Sequence, residues 1–190
     1  VVATDVTGVG TSRRLLAAAG YGTDKAFFAY GYVSGAVSLK NLVNNSGVVA
    51  ADVTGVGTAR YGTSGVTYGT DKAIVAYGTS PRTAISNLVS SSGVIATDVS
   101  GVGTVREYPS AAAYGSTGQA LFAFGGTGSG GYLNVRNLVT NVGVVASDVS
   151  GAGTAQDKHP GATYGSDKAI FAYGQNGSNS DLSTSNLVSN

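Results

Sequence analysis

The chain has 190 residues and a formal net charge of +1, with 42% apolar and 11% charged residues. Such a balanced charge removes the electrostatic basis for tight nucleic-acid binding, and no apolar run approaches the roughly 20 residues that a membrane span needs. The absence of Cys excludes disulfides and thiolate metal sites. Thirty glycines in a chain rich in Val, Ala, Ser and Thr favour strands and tight turns. We therefore expect a single all-β domain over residues 1–190.

Three sequence markers recur in four copies along the chain and define an internal repeat. The first is a Gly-rich segment at residues 2–11, 49–58, 95–104 and 145–154. The second is a Tyr-Gly pair before a turn and an apolar run, at Tyr21, Tyr68, Tyr114 and Tyr164. The third is Asn-Leu-Val, which begins at Asn41, Asn87, Asn137 and Asn186. The repeat units are residues 12–58, 59–104, 105–154, and 155–190 together with 1–11.

The second unit shows the strand order that we expect in every unit. Residues 65–68 form a short strand of small residues (A), and residues 72–77 form an apolar strand (B) after a Gly-Thr-Asp turn. Residues 83–89 alternate between polar and apolar side chains (C), and residues 94–98 follow a Ser-Gly turn (D). Four antiparallel strands repeated about every 40–50 residues are typical of propeller blades. The pattern predicts a β-propeller of four-stranded antiparallel blades.

The order of these elements, with the strand Lys72-Ala-Ile-Val-Ala-Tyr-Gly78 at its centre, resembles a degenerate kelch-type β-propeller repeat. Arg14, Arg60 and Arg106 stand near the position of the kelch Arg, where the fourth unit has Gln156. The double Gly usual after strand B occurs only at Gly125-Gly126, and the usual Trp is absent. The Gly-rich phrases also resemble repeats of bacteriophage tail and virion proteins, which implies an extracellular or virion location.

The two ends of the chain predict how the blades close. Residues 1–5 have the pattern of strand D and residues 182–188 that of strand C, so we expect the N-terminal strand to complete the last blade. Two closures fit this arrangement: a four-bladed ring in one chain, or two chains joined head to tail in an eight-bladed homodimeric ring. The chain begins at Val1 and contains no Met, so we expect it to be processed or cut from a longer protein.

Recurring polar residues favour structural roles over catalysis. No asymmetric cluster of acids, bases and nucleophiles stands out, so we expect no catalytic site, metal or cofactor. His159, the single His, lies in a charged loop and is predicted to be solvated. The recurring Asn side chains are expected to point inward, and the recurring Tyr rings to pack between blades. One Asp per unit favours a capped turn over a calcium site. These acids are Asp5, Asp52, Asp98 and Asp148.

The loops on one face of the predicted blades differ between units, whereas the turns on the opposite face hardly change. They are the B-to-C loops, residues 32–36, 79–82, 127–132 and 175–181, and the D-to-A loops, residues 12–16, 59–64, 105–110 and 155–161. Binding residues concentrate in loops on rigid scaffolds, so this face is the predicted binding surface. Its candidate residues are Tyr32, Arg60, Tyr61, Arg82, Arg106, Tyr108 and Tyr132.

Two classes of function remain open at this point. The first is a non-enzymatic structural or recognition module, such as a phage tail-fibre or cell-surface propeller that binds a glycan or protein, as a homo-oligomer or as part of a larger assembly. The second is a propeller enzyme, such as a glycosidase or an oxidase, acting at the same face. An enzyme needs acids that are unique to one unit, and Glu107, Asp157 and Asp181 are of that kind. The first class is preferred.

Overall fold

The structure, a computed structural model, describes residues 2–151 and 153–189, and over these residues it contains strands and no helices. The expectation of an all-β chain is therefore confirmed. None of the described segments forms a helix with the length and apolar character needed to cross a membrane.

Each repeat unit folds into an antiparallel sheet whose strands follow one another along the chain. The first unit contains β1 (Ala17–Tyr21), β2 (Lys25–Ala29) and β3 (Lys40–Val43). The second contains β4 (Ser64–Tyr68), β5 (Lys72–Ala76) and β6 (Ser86–Val89). The third contains β7 (Ser110–Tyr114), β8 (Gln119–Ala123), β9 (Gly126–Gly128), β10 (Gly131–Tyr132), β11 (Val135–Val139) and β12 (Val149–Ser150). The fourth contains β13 (Gln156–Asp157), β14 (Gly161–Tyr164), β15 (Lys168–Ala172), β16 (Gln175–Asn176) and β17 (Ser185–Val188).

Four main sheets and two small ribbons result from this pairing. Sheet 1 has the order β1-β2-β3, and sheet 2 has the order β4-β5-β6. Sheet 3 has the order β7-β8-β11-β12, and sheet 4 has the order β14-β15-β17. The ribbons are β9 with β10 and β13 with β16.

The expected strand D is a looser element than the sequence pattern indicates. In the second unit it meets β6 only at two isolated bridges, from Ile95 to Val89 and from Val99 to Ser86. Between these bridges the Asn87 side chain, rather than a backbone N–H, donates a hydrogen bond of 3.0 Å to the carbonyl of Ala96. A side chain thus replaces part of the backbone ladder, and the segment is not a continuous strand.

The central strands are apolar on both faces because each internal sheet is covered on both sides. In β5, Ala73 and Val75 pack in a cluster with sheet 1, and Ile74 and Ala76 pack in a cluster with sheet 3. We call the face of each sheet that points toward the next unit its front face, and the opposite face its back face. On the central strands the front face carries Phe27, Ile74, Leu121 and Ile170, and the back face carries Phe28, Val75, Phe122 and Phe171.

The sheets stack in chain order, with each front face on the next back face. The first strands pack in the order β1, β4, β7 and β14, and their small residues allow the close approach. The Thr67 hydroxyl donates to the carbonyl of Gly20 at 3.0 Å, and Thr163 donates to Ala113 at 2.8 Å. Side chains of one sheet therefore satisfy backbone groups at the inner edge of the sheet before it.

The two ends of the stack stay exposed, and no closed ring is found in the part of the chain that the structure describes. Phe28, on the back face of sheet 1, is 39% exposed, and Leu187, on the front face of sheet 4, is 69% exposed. Val2 and Val6 are 99% and 88% exposed. The expected pairing of residues 1–5 with residues 182–188 is not seen for residues 2–5, which form no strand or bridge, and β17 pairs with β15 alone. Val1 lies outside the described residues.

A side chain at a given repeat position should therefore contribute more to the free energy of unfolding inside the stack than at its end. We expect Phe122→Ala, at a fully buried site, to lower the free energy of unfolding by about 3–5 kcal/mol, because it leaves a cavity. The matched change Phe28→Ala should cost less than half as much, since that ring is already partly in water. Urea denaturation of dilute protein measures both values, and equal losses would contradict the stacking order.

Candidate binding face

The variable loops lie together at one end of the stack, as the sequence pattern predicts. In each unit the D-to-A loop pairs with the B-to-C loop through the backbone. The pairs are Arg14 with Tyr32, Tyr61 with Thr79, Glu107 with Gly126, and Asp157 with Gln175. The D-to-A and B-to-C loops of each unit are therefore held to one another by backbone pairing.

Loops from three consecutive units form a cluster of aromatic and basic side chains, which we call the loop cluster: Arg14, Tyr32, Tyr61 and Tyr108. The rings of Tyr32 and Tyr61 meet edge to face, with centroids 5.0 Å apart, and the Arg14 guanidinium lies 4.9 Å from the centroid of Tyr32. Tyr108 packs against Gly62, where a Cβ atom would lie 2.8 Å from the Tyr108 ring. Burial raises the pKa of Tyr108, and Glu107 adds to this shift.

Two further candidate residues lie on the same face but outside the loop cluster. Arg82 is exposed at a loop tip, and its guanidinium is 3.8 Å from the carboxylate of Glu107. Tyr132 is half-buried, and its hydroxyl lies 3.3 Å from the side-chain oxygen of Asn179 in the fourth unit. The separation of 3.8 Å is long for an ion pair, and such pairs near the surface contribute little to stability, so the Arg82 guanidinium can be redirected to a ligand at low cost.

Arg60 and Arg106 were expected on the binding face, and the structure instead buries both completely between sheets. Arg60 donates to the side-chain oxygen of Asn87 at 2.7 Å and to the carbonyl of Tyr77 at 2.9 Å. Its guanidinium also lies 4.1 Å from the centroid of the Tyr30 ring on sheet 1. Neither arginine can touch a ligand at the surface. Both instead join one sheet to the next.

The repeated arginine of the first unit is Arg13, where the sequence comparison pointed to Arg14. Arg13 donates to the side-chain oxygen of Asn41 at 2.6 Å, as Arg60 does to Asn87. The sequence signal that identifies Arg13 is a Thr two residues before the arginine. The same spacing occurs at Thr58 before Arg60 and at Thr104 before Arg106. Because Arg14 was assigned to the repeated arginine position, it was not among the candidate binding residues, although its side chain belongs to the loop cluster.

In the first three units the recurring Asn and Asp belong to one structural hydrogen-bond network, and the inward orientation predicted for Asn is confirmed at Asn41, Asn87 and Asn137. Asn87 donates to the carboxylate of Asp98 at 2.9 Å, and the hydroxyl of Thr58 donates to the same carboxylate at 2.7 Å. Burial alone would raise the pKa of Asp98, but these two hydrogen bonds hold it below its usual value. Among the described residues, no group of three or more His, Asp or Glu side chains could hold a metal ion.

The fourth unit replaces the buried arginine with a set of buried polar side chains. Gln156, Asp157 and His159 are each at most 6% exposed, so the prediction of a solvated His159 is wrong. The imidazole packs edge to face on Phe124, with ring centroids 4.7 Å apart. Neither imidazole nitrogen has a hydrogen-bond partner in the described chain. Burial lowers the pKa of His159 to about 4. Burial also raises the pKa of Asp157, and the nearby Glu107 raises it further.

A cleft of about 420 Å³ lies between the outer strands of sheets 3 and 4, lined in part by Tyr114, Leu138 and Val188. The two earlier sheet interfaces are filled at the corresponding place. Ile95 belongs to the cluster between sheets 1 and 2, and Val145 packs on the cluster between sheets 2 and 3. Both residues come from the D segment of the later sheet in each pair.

The buried His159 should make stability depend on pH. Its folded pKa of about 4 lies below the usual 6.5, so the unfolded chain binds a proton first as the pH falls. We expect this residue alone to lower the free energy of unfolding by about 3 kcal/mol between pH 7 and pH 4. His159→Phe, which keeps a ring against Phe124, should remove this component, as measured by urea denaturation at each pH. Asp157 titrates in the opposite sense but is present in both proteins, and identical pH profiles would contradict the assignment.

Neither the protein-family models nor the curated protein sequences give a match to this chain. The kelch-type and phage-repeat resemblances therefore stay predictions.

Proposed function

We propose that the chain is a non-enzymatic recognition module that binds a cell-surface glycan or protein through its variable loops, in an extracellular or virion setting such as a phage tail fibre. The observation that carries this proposal is the loop cluster, where loops of three units converge on one surface. Variation between the units is concentrated in these loops, and the sheets beneath them keep the same packing.

The chemistry of the loop cluster suits recognition. Tyrosine rings offer a large contact area with few rotatable bonds, and arginine supplies several hydrogen-bond donors in a fixed plane. Both residue types are enriched at binding surfaces for these reasons. The tyrosines are half-exposed, and Arg14 and Arg82 are exposed, so a ligand can reach these side chains.

The loop cluster is also held in place before any ligand binds. The backbone N–H of Gly62 donates to the carbonyl of Leu15 at 2.9 Å, and the N–H of Tyr108 donates to the carbonyl of Gly62 at 2.9 Å. These bonds connect the D-to-A loops of three units. A preorganised surface loses less conformational entropy on binding, which favours affinity.

We further propose that the four sheets are blades of a β-propeller. The stacking of first strands in chain order and the repeated use of one sheet-to-sheet interface support this arrangement. In a propeller the variable loops of all blades gather at one end of the central axis, which is where ligands of such folds can span several units.

An enzyme is the second candidate, and one specific observation favours it. Asp157, with a raised pKa, lies near Glu107, which is ion-paired with Arg82. Glycoside hydrolysis uses a pair of carboxyl groups, one of which has a raised pKa and donates a proton. Asp157 is only 5% exposed, however, so a substrate would not reach it in this conformation. This geometry ranks the enzyme below the binding module.

The binding proposal is tested by replacing side chains on the variable face. We expect the double change Tyr32→Ala and Arg82→Ala to remove most binding to an array of bacterial and mammalian surface glycans, or to intact cells. The melting temperature should change little, because substitutions at exposed loops usually cost within about 0.5 kcal/mol and the one aromatic pair adds about 1 kcal/mol. Periodate treatment of the cells destroys glycans and protease treatment removes proteins, so the two treatments identify the class of partner.

The matched control is Lys72→Ala on the opposite face, which also removes one ion pair, here with Asp71 at 2.9 Å. It should leave binding unchanged. If the control and the double variant lose binding equally, or if neither protein binds any glycan or cell, the variable face is not a recognition surface.

A further inference from the structure

We propose that the front face of sheet 4 binds the back face of sheet 1 in a second copy of this chain, and that residues 2–6 of that copy pair with β17. The contact is head to tail and uses different surfaces on the two copies. It goes beyond the loop-mediated function and does not depend on any ligand.

The two exposed end faces are the two halves of one interface that the chain already forms three times. Within the stack, front-face residues such as Phe27 and Tyr68 are buried against back-face residues such as Val75 and Phe122. At the ends the same positions are open. Tyr164, which corresponds to the buried Tyr21 and Tyr68, is 42% exposed. The equivalent faces inside the stack are each covered by another sheet of the same repeat. We therefore infer that a sheet of the same repeat also covers each end face.

Backbone hydrogen bonds recur at the same interfaces and extend the match. The N–H of Gly22 donates to the carbonyl of Asp71 at 2.7 Å, and the N–H of Gly31 donates to the carbonyl of Arg60 at 3.0 Å. Equivalent bonds join sheet 2 to sheet 3 and sheet 3 to sheet 4. In the head-to-tail contact, Gly165 and Gly174 occupy the positions of Gly22 and Gly31, and Asp24 and Arg13 of the second copy supply the carbonyls. The glycines that donate the equivalent bonds within the chain are Gly69 and Gly78 from sheet 2 to sheet 3, and Gly115 and Gly125 from sheet 3 to sheet 4.

A tyrosine at the exposed end also lacks the cover that its equivalents have. Tyr30 and Tyr77 are fully buried, with Arg60 and Arg106 of the following sheet at 4.1 and 3.7 Å from their ring centroids. Tyr173 has the same position in sheet 4 and is 62% exposed. The corresponding arginine of a second copy is Arg13.

The N-terminal segment is the part of the second copy that would complete sheet 4. Residues 49–58 begin on β3 of sheet 1 and end at Asp98 of sheet 2, which accepts a hydrogen bond from Thr58. Residues 2–11 end in the same way, because Thr11 donates to Asp52 of sheet 1 at 2.7 Å. By this repeat, residues 2–6 belong on the sheet that precedes sheet 1, which in a head-to-tail contact is sheet 4 of the other copy.

The cleft between sheets 3 and 4 fits the side chain that such a segment would bring. Val2 has the repeat position of Ile95 and Val145, which fill the equivalent places at the two earlier interfaces. Val2 itself is 99% exposed. Moving it into the cleft of about 420 Å³ beside Tyr114 and Leu138 would bury apolar surface on both sides of the contact.

The proposal is tested by the mass of the chain in solution and by mixing two variants. We expect light scattering on the wild-type protein to give at least twice the 18.7 kDa of one chain. Val2→Asp and Leu187→Asp should each weaken assembly at least about 100-fold, because each places a charge in the apolar contact. Both residues are largely exposed within one chain, so neither change should affect folding. The matched control, Val48→Asp, alters a residue that is 60% exposed and lies on neither end face, and it should assemble like the wild type.

Mixing distinguishes a head-to-tail contact from every other arrangement. Val2→Asp keeps an intact sheet 4 face, and Leu187→Asp keeps an intact N-terminal segment, so a mixture of the two should form one-to-one dimers. In hydrogen exchange, the amides of residues 2–6 should be protected in the wild type and unprotected in Leu187→Asp. A wild-type protein that is monomeric at tens of micromolar, a mixture that stays monomeric, or equal protection of residues 2–6 in the monomeric variant would each overturn the proposal.

Discussion

The interface between consecutive sheets is the constraint on which the rest of this structure depends. A sheet of three or four short strands cannot bury its own side chains, and here both of its faces are apolar. Each internal sheet therefore needs a neighbour on both sides, and the chain supplies it by repeating the same unit. Phe27 of one sheet meets Val75 of the next, and Ile74 meets Phe122 at the following interface. A stack built in this way has two open ends for the same reason that its interior is well packed.

Polar groups at these interfaces fix how the sheets sit on one another. Burying a guanidinium is costly unless its donors are satisfied. Arg60 meets this condition through Asn87, the carbonyl of Tyr77 and the face of the Tyr30 ring, which belong to two different sheets. Apolar packing alone is not directional, so these bonds define the relative position of the sheets. In the fourth unit Gln156 is shorter than arginine, and the interface there carries buried polar atoms without hydrogen-bond partners in the described residues.

The division between scaffold and loops follows from the same packing. A substitution on a sheet face must fit two sheets at once, whereas a loop at the end of the stack meets solvent. The turns on the opposite face contain short ion pairs, Lys25 with Asp24 and Lys168 with Asp167 at 2.9 and 2.6 Å, and the second unit repeats the pair with Lys72 and Asp71. The loop cluster instead combines residues that differ from unit to unit. Diversity on a fixed scaffold is the arrangement expected of a recognition surface.

The sequence by itself determined the repeat, the all-β class, the positions of the main strands and the inward orientation of the recurring Asn side chains. These features depend on local alternation and on turn residues, which are visible within a single unit. Tertiary structure alone decided that Arg60, Arg106 and His159 are buried and that the stack has open ends. Arg60 and Arg106 are buried in part because a tyrosine ring of the preceding unit, Tyr30 or Tyr77, covers the guanidinium. The recurrence of a residue does not show whether a distant segment covers its side chain, and for that reason only the folded chain reveals which of these residues are buried.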